Sequence, residues 1–237
     1  MLVLAHRGLS AHYPENTLLA FEKAIELGAK AIECDVHQVG DEFVVFHDYS
    51  LWRLCNTQGM LLEQNIHSLK ALKIAGEHPV PSLEQVVELC AHKVLLNLEL
   101  KSIQDPSAFA NALCQYLQSF DEADVNITLS SFNHPLLTEL KAQFRDTRLA
   151  TRIRYGALIA HLPNDLAQYA LMMDADIAAI DAHLVNEAFV QDAHKYNIKV
   201  WCYTVNDTAL LQRLFAYGVD GIFSDDAPWA ISQINKL

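Results

Sequence analysis

Short apolar runs alternate with helix-like segments along the whole chain, and this alternation restricts the fold more than any other property of the sequence. The runs are Leu2–Ala5, Ala31–Val36, Val94–Leu100, Ile127–Ser131, Leu149–Ile153, Ile177–Ile180, Val200–Val205 and Gly221–Ser224. Most are continuously apolar and rich in Val, Ile and Leu, the composition of strands buried on both faces of a parallel sheet. A further run, Phe43–His47, follows Ala31–Val36 across Gly40–Asp41 and reads as its hairpin partner. The intervening segments follow helix rules. Asn16 or Thr17 caps a stretch carrying Leu18, Phe21, Ala24 and Ile25 that closes at Gly28; Ser82 opens another, and Asp207 or Thr208 opens a third that ends at Gly218. Eight strand–helix units in 237 residues average about 30 residues each, the spacing of a βαβ series. An open doubly wound sheet and a closed barrel both fit that spacing. No GxGxxG or GxxxxGKS/T follows the first run, which removes the main nucleotide-binding case for the open sheet. The count of eight favours an α/β fold of the (β/α)8 TIM-type barrel kind, in a single domain spanning residues 1–237.

Charge and cysteine usage narrow the partners. With 29 acidic and 17 basic side chains the formal net charge is −12, the wrong sign for nucleic acid, whose phosphates need Lys and Arg. A small anionic substrate is still compatible, because a local cluster of cations overrides the global sign. Cys34, Cys55, Cys90, Cys114 and Cys202 include no CxxC pair and read as reduced packing residues rather than a disulfide framework. The apolar run before His6 and Arg7 is shorter than the ~7–15 residues of a signal peptide, and no run approaches the ~18 of a membrane span. The expectation is a soluble, cytoplasmic protein with a small-molecule substrate, no nucleic-acid partner and no stable membrane insertion.

In a barrel, chemistry sits at the C-terminal ends of the strands, and ionisable residues crowd the ends of the first three. These are His6-Arg7-Gly8, then Glu33 and Asp35 with His47-Asp48 at the end of the hairpin, then Glu99 and Lys101. Glu33 and Asp35 are two apart on one strand, so both face one side while Cys34 faces away; Glu99 and Lys101 repeat the pattern. Three carboxylates converging on one point repel unless a cation lies among them. An all-oxygen set suits Mg²⁺ or Ca²⁺ better than zinc. Arg7 and Lys101 add a fork and a point charge suited to a phosphoryl group. His6 and His47 are then the candidate proton carriers, one taking a proton from the nucleophile and the other giving one to the leaving alkoxide. His37 continues the Glu33–Asp35 face, as a further ligand or a supporting partner. The bland alternative, solvated strand-end charges with unrelated surface partners, weakens when ExD and ExK stand on adjacent strands.

The string His6-Arg7-Gly8, Pro14-Glu15-Asn16-Thr17, Glu33-x-Asp35, His47-Asp48 and Glu99-x-Lys101 resembles the glycerophosphodiester phosphodiesterase family, in its compact bacterial form. Pro81-Ser82-Leu83-Glu84, Ser131-Phe132, Trp201-x-x-Thr204-Val205-Asn206 and Gly218-Val219-Asp220-Gly221-Ile222 extend the match in order across residues 6–226. The resemblance implies a TIM-type barrel with a small insertion after strand two, about residues 48–80. It implies metal-dependent cleavage of glycerophosphodiesters to glycerol 3-phosphate and an alcohol such as choline or ethanolamine. By position, His6 and His47 resemble the acid–base pair and Glu33, Asp35 and Glu99 the ligands of one divalent cation. Arg7 and Lys101 match phosphate-binding positions, Trp201 and Phe132 positions that pack against the glycerol carbons, and Glu15 and Asn16 positions that brace the site. The insertion, with Trp52-Arg53-Leu54-Cys55-Asn56-Thr57, follows the family's Leu-x-Arg-Thr-Thr pattern only loosely. Two other readings compete. Leu51, Trp52, Leu54, Met60, Leu61 and Leu62 could form an apolar rim for the acyl chain of a lysophospholipid, and the barrel could bind a glycerophosphodiester without cleaving it. Cys55 and Cys202, near the expected rim, read as spectators.

Overall fold

The computed structural model describes residues 1–237. In chain order it contains β1 (Leu2–His6), α1 (Leu18–Glu26), β2 (Ala31–Val39), β3 (Glu42–Val45), α2 (Trp52–Cys55), α3 (Ile66–Ala71), β4 (Lys73–Ile74), β5 (His78–Pro79), α4 (Leu83–Cys90) and β6 (Leu95–Ser102). There follow α5 (Pro106–Tyr116), β7 (Ile127–Ser131), α6 (His134–Phe144), β8 (Ile153–Ile159), α7 (Gln168–Met172), β9 (Ile177–Asp181), α8 (Glu187–Lys195), β10 (Lys199–Tyr203), α9 (Thr208–Tyr217), β11 (Gly221–Ser224) and α10 (Ala227–Ile234). Strands β1, β11, β10, β9, β8, β7, β6 and β2 pair in parallel, and β1 also pairs with β2. The sheet therefore closes on itself as a (β/α)8 barrel, with β3 as an antiparallel flap on β2. No helix is long and apolar enough to cross a membrane.

The helix starts are set by side-chain oxygens that accept otherwise orphaned N–H groups. Thr17, rather than Asn16, caps α1 by accepting from the Ala20 N–H; Ser82 and Gln85 form a capping box on α4; Asp207 caps α9, which ends on Gly218 in the left-handed region. One strand lies elsewhere than expected. Leu149–Ile153 is mostly turn, and the fifth barrel strand is Ile153–Ile159. Leu149 is apolar because it plugs the core from a loop, while Arg154 and Gly156 break the apolar run of the true strand.

Three apolar clusters share the packing. The largest lies between the outer faces of the strands and the helices, and a smaller one of Leu4, Ala31, Leu95, Leu158, Ile177, Ala179, Trp201 and Phe223 fills the barrel interior. A satellite core of Val39, Val44, Phe46, Leu51, Leu61, Leu69, Leu72 and Ile74 holds together the segment after β3. All five cysteines are free. Cys202 is not at the rim: it points outward into the main core, where burial pushes its thiol well up.

The turn leaving β1 depends on Gly8, which has φ 82° and whose added Cβ would stand 2.7 Å from the Ala20 carbonyl carbon. Gly8→Ala combines a left-handed backbone with a collision against helix backbone. It is expected to destabilise the fold by about 2–4 kcal/mol. A lower urea midpoint at unchanged slope would register the loss; a wild-type midpoint would refute it.

Candidate active site

Strand pairing assembles the site. The register sets His6 of β1 beside Glu33 of β2, and Asp35 of β2 beside Glu99 of β6. These residues face the barrel axis at its C-terminal mouth, where barrel enzymes carry their chemistry. Glu33, Asp35 and Glu99 each offer an oxygen within 4.8 Å of the others'. Arg7, with φ 57°, turns off the end of β1. Its backbone N–H donates to Glu33 Oε2 at 2.9 Å, its Nη1 to Glu15 Oε1 at 2.8 Å, and its Nε lies 3.3 Å from Asp35 Oδ2. Lys101 Nζ donates to Glu99 Oε1 at 2.8 Å and lies 3.6 Å from Asp35 Oδ1. Asn16 Nδ2 donates to Asp35 Oδ2 at 2.8 Å. Both Glu15 and Asn16 thus touch charged members of the site.

Within this cluster three carboxylates face two cations, Arg7 and Lys101, and one negative charge is left over. Burial first, then Asp35 and Glu99, push the Glu33 carboxyl well above the ordinary carboxylate range; burial and Asp35 raise Glu99 as well. Burial opposes the charges of Arg7 and Lys101, but the neighbouring carboxylates outweigh it and keep both cations protonated. Glu33 Oε1 is buried without a hydrogen-bond partner. An all-oxygen donor set, surplus negative charge and an orphaned carboxylate oxygen fit a hard divalent cation.

Each candidate proton carrier is anchored by an aspartate. His6 Nδ1 donates to Asp225 Oδ1 at 2.6 Å, while its Nε2 lies 4.0 Å from Glu33 Oε2. Asn206 Nδ2 at 2.6 Å and Ser10 Oγ at 3.2 Å also donate to Asp225. Burial raises the Asp225 carboxyl, but the hydrogen bonds, led by that from His6, outweigh it and hold it below its ordinary value. His47 Nδ1 donates to Asp48 Oδ1 at 2.6 Å. Hydrogen bonds, from Arg53 foremost and also from His47, hold Asp48 at about 2. A cavity of about 480 Å³ opens beside His6 and Arg7, between Glu15 and Asp225.

One sequence-based placement changes, and the two readings of His37 are resolved. Trp201 is only 3% exposed: it fills the barrel interior against Gly221, whose Cβ would come within 2.6 Å of the indole. It therefore cannot pack against glycerol carbons at the mouth. The aromatic residue at that height is Tyr203, two residues further along the same face of β10, whose hydroxyl donates to the Ile159 carbonyl at 2.6 Å. Phe132, 47% exposed, meets Tyr203 edge-on with ring centres 5.9 Å apart. His37 is not part of the carboxylate cluster. A bulge at Val36/His37 shifts it, and it bonds Ser102 Oγ at 2.7 Å and the His47 carbonyl at 3.3 Å, with burial lowering its pKa. Asp225, Arg53 and Tyr203 are site residues that sequence reasoning missed. Asp225 left a signal as a polar residue ending the last strand, and Arg53 left one in Leu51-Trp52-Arg53, which keeps the Leu-x-Arg part of the insertion pattern.

A closed (β/α)8 barrel that carries a carboxylate–cation cluster and two aspartate-held histidines has the architecture of a barrel enzyme, with its candidate site at the C-terminal mouth. Residues 6–228 match the glycerophosphoryl diester phosphodiesterase family, and the chain belongs to that family. A glycerophosphodiester phosphodiesterase of Caldanaerobacter subterraneus subsp. tengcongensis is 32% identical, with 99% of this chain and 98% of the relative covered. Among solved structures, an Oleispira antarctica phosphodiesterase in complex with its product sn-glycerol 3-phosphate is 26% identical, with a TM-score of 0.86 over 99% of this chain and 97% of that one. The glycerophosphodiester phosphodiesterase of Thermotoga maritima is also 26% identical, with a TM-score of 0.77 over 98% and 97%.

Proposed function

We propose that the protein hydrolyses glycerophosphodiesters to glycerol 3-phosphate and an alcohol, with His6 and His47 as the proton carriers. The observation that carries this reading is the pair of imidazoles, each held at Nδ1 by an aspartate at 2.6 Å, beside one carboxylate–cation cluster. An aspartate at Nδ1 fixes the tautomer and ring orientation and leaves Nε2 to take or give the proton in transit. Arg7 and Lys101 hold the phosphate through guanidinium and ammonium N–H groups already oriented by Glu15 and Glu99. Glu33, Asp35 and Glu99 would hold one Mg²⁺ or Ca²⁺, which when bound neutralises charge developing on the phosphoryl oxygens. Tyr203 and Phe132 offer the aromatic surface against which glycerol carbons pack. The attacking oxygen is a water or the glycerol 2-hydroxyl.

The insertion bears on the alcohol. Leu51 and Leu61 are fully buried in its satellite core and Leu54 packs against that core, leaving Trp52, Met60 and Leu62 exposed. So small an apolar rim favours a water-soluble head group over a long acyl chain. Glycerol 3-phosphate release from glycerophosphocholine and glycerophosphoethanolamine, with metal titration, tests the activity. Turnover of lysophosphatidylcholine is expected to be at least about tenfold slower; a faster rate would move the substrate class to lysophospholipids, and no release from any glycerophosphodiester would end the proposal.

A further inference from the structure

We propose that Arg53, carried by the insertion, is a shared positioning residue that sets the His47 imidazole through Asp48 and the Arg7 guanidinium through Glu15. The proposal rests on the roles given above to His47 and Arg7. Arg53 Nε donates to Asp48 Oδ2 at 2.7 Å and Nη2 to Asp48 Oδ1 at 2.7 Å. On its other edge Nη1 donates to Glu15 Oε2 at 2.7 Å and Nη2 to Glu15 Oε1 at 2.9 Å. Two carboxylates are thus each gripped by two N–H groups of one planar fork, a geometry that only arginine can supply.

The bonding is selective about oxygens. Asp48 Oδ1 is the oxygen that accepts from His47 Nδ1, and Glu15 Oε1 is the oxygen that accepts from Arg7 Nη1. Arg53 Nη2 donates to both. One nitrogen therefore touches the two atoms that orient a proton carrier on one side of the mouth and a phosphate-binding group on the other. Without it, each carboxylate keeps its active-site partner but gains freedom to rotate.

Pinning the insertion to the barrel is the competing role for this residue. The insertion is already held to the barrel by an apolar core that joins Leu51, Leu61, Leu69, Leu72 and Ile74 to Val39 and Val44 of β2 and β3, and within itself by a backbone bond from the Ala75 N–H to the Leu54 carbonyl and a Ser50–Met60 bridge. Arg53 is 48% exposed, where ion pairs add little to stability. The positioning role predicts a kinetic effect out of proportion to any thermal one.

The test separates kcat from KM for glycerophosphocholine hydrolysis in Arg53→Gln and Arg53→Lys, alone and combined with Asp48→Asn or Glu15→Gln. Each Arg53 change is expected to lower kcat by about 10–100-fold and to raise KM. Arg53→Lys should rescue little, since one ammonium cannot span both carboxylates. In the Asp48→Asn background an Arg53 change should no longer lower kcat but should still raise KM; in the Glu15→Gln background the pattern should reverse. Melting temperatures should stay near wild type, and if Arg53→Gln does not fold, Arg53→Lys carries the same comparison. Wild-type kcat and KM in the Arg53 variants overturns the proposal. So does an undiminished kcat loss on top of Asp48→Asn, or a fall in activity matched by a fall in melting temperature. A wild-type enzyme that releases no glycerol 3-phosphate instead refutes the proposed activity, a separate result.

Discussion

Replacing His6 or His47 by alanine is expected to cut turnover of glycerophosphocholine by about a thousandfold or more while leaving the fold intact. A positioned proton carrier contributes roughly 10²–10⁴ to a rate, and each imidazole here is restrained by an aspartate rather than left to solvent. The fold should survive for a specific reason. His6 lies at the mouth, outside the apolar clusters, and its removal leaves Asp225 with hydrogen bonds from Ser10 and Asn206. His47 is partly exposed, and its removal leaves Asp48 with Arg53. No buried charge is stranded, so stability should change by no more than about 1 kcal/mol. Carriers that serve one proton-transfer sequence are not additive, and the double variant should be little worse than the slower single one. Asp225→Asn should reproduce part of the His6 loss, because an amide facing Nδ1 no longer selects the tautomer that leaves Nε2 free. Steady-state kinetics with urea midpoints on the same preparations make the comparison. Wild-type turnover in either alanine variant would remove that histidine from the chemistry.

The parts of this site legible in the sequence are those that strand periodicity fixes. Glu33 and Asp35, or Glu99 and Lys101, must share a face because they are two apart on a strand, and neighbouring strands bring them together. What periodicity does not fix is height along the barrel axis. Trp201 and Tyr203 lie on the same face of β10, yet one is interior filling and the other stands near the mouth. Their order depends on the register of β10 against β9 and β11, which the sequence of β10 alone does not contain. Nor could local reading find the partner of His6, since Asp225 is 219 residues away and arrives only when β11 closes on β1. Arg53 was hidden differently. Leu51-Trp52-Arg53 keeps the Leu-x-Arg of the insertion pattern, but only its tertiary placement brings the guanidinium between Glu15 and Asp48. Strand five shows the converse error, an apolar run recruited by a loop, because apolar residues also anchor turns in the core.

Removal of divalent metal is expected to abolish activity, and Mg²⁺ or Ca²⁺ to restore it; the effect on stability makes this prediction sharper than the kinetics alone. Arg7 and Lys101 are the cations nearest Glu33, Asp35 and Glu99, with Asn16 on Asp35 and His6 Nε2 4.0 Å from Glu33, and Glu33 Oε1 has no partner. Glu33→Gln removes one of the mutually repelling charges and can still accept from the Arg7 N–H through its amide oxygen. The metal-free variant should therefore melt no lower than metal-free wild type, although it has lost a charged group from a buried site. Adding cation reverses the order. A ligand that binds only the folded state stabilises it by about 2.7 kcal/mol at a hundredfold excess over its dissociation constant. Wild type should show that rise and Glu33→Gln should not. Asp35→Asn should lose the cation-dependent rise too, but it also weakens the partners of Arg7, Lys101 and Asn16, so it should melt lower even without metal. Full turnover in wild type after exhaustive chelation, or an equal cation-dependent rise in Glu33→Gln, would mean that these carboxylates serve Arg7 and Lys101 alone.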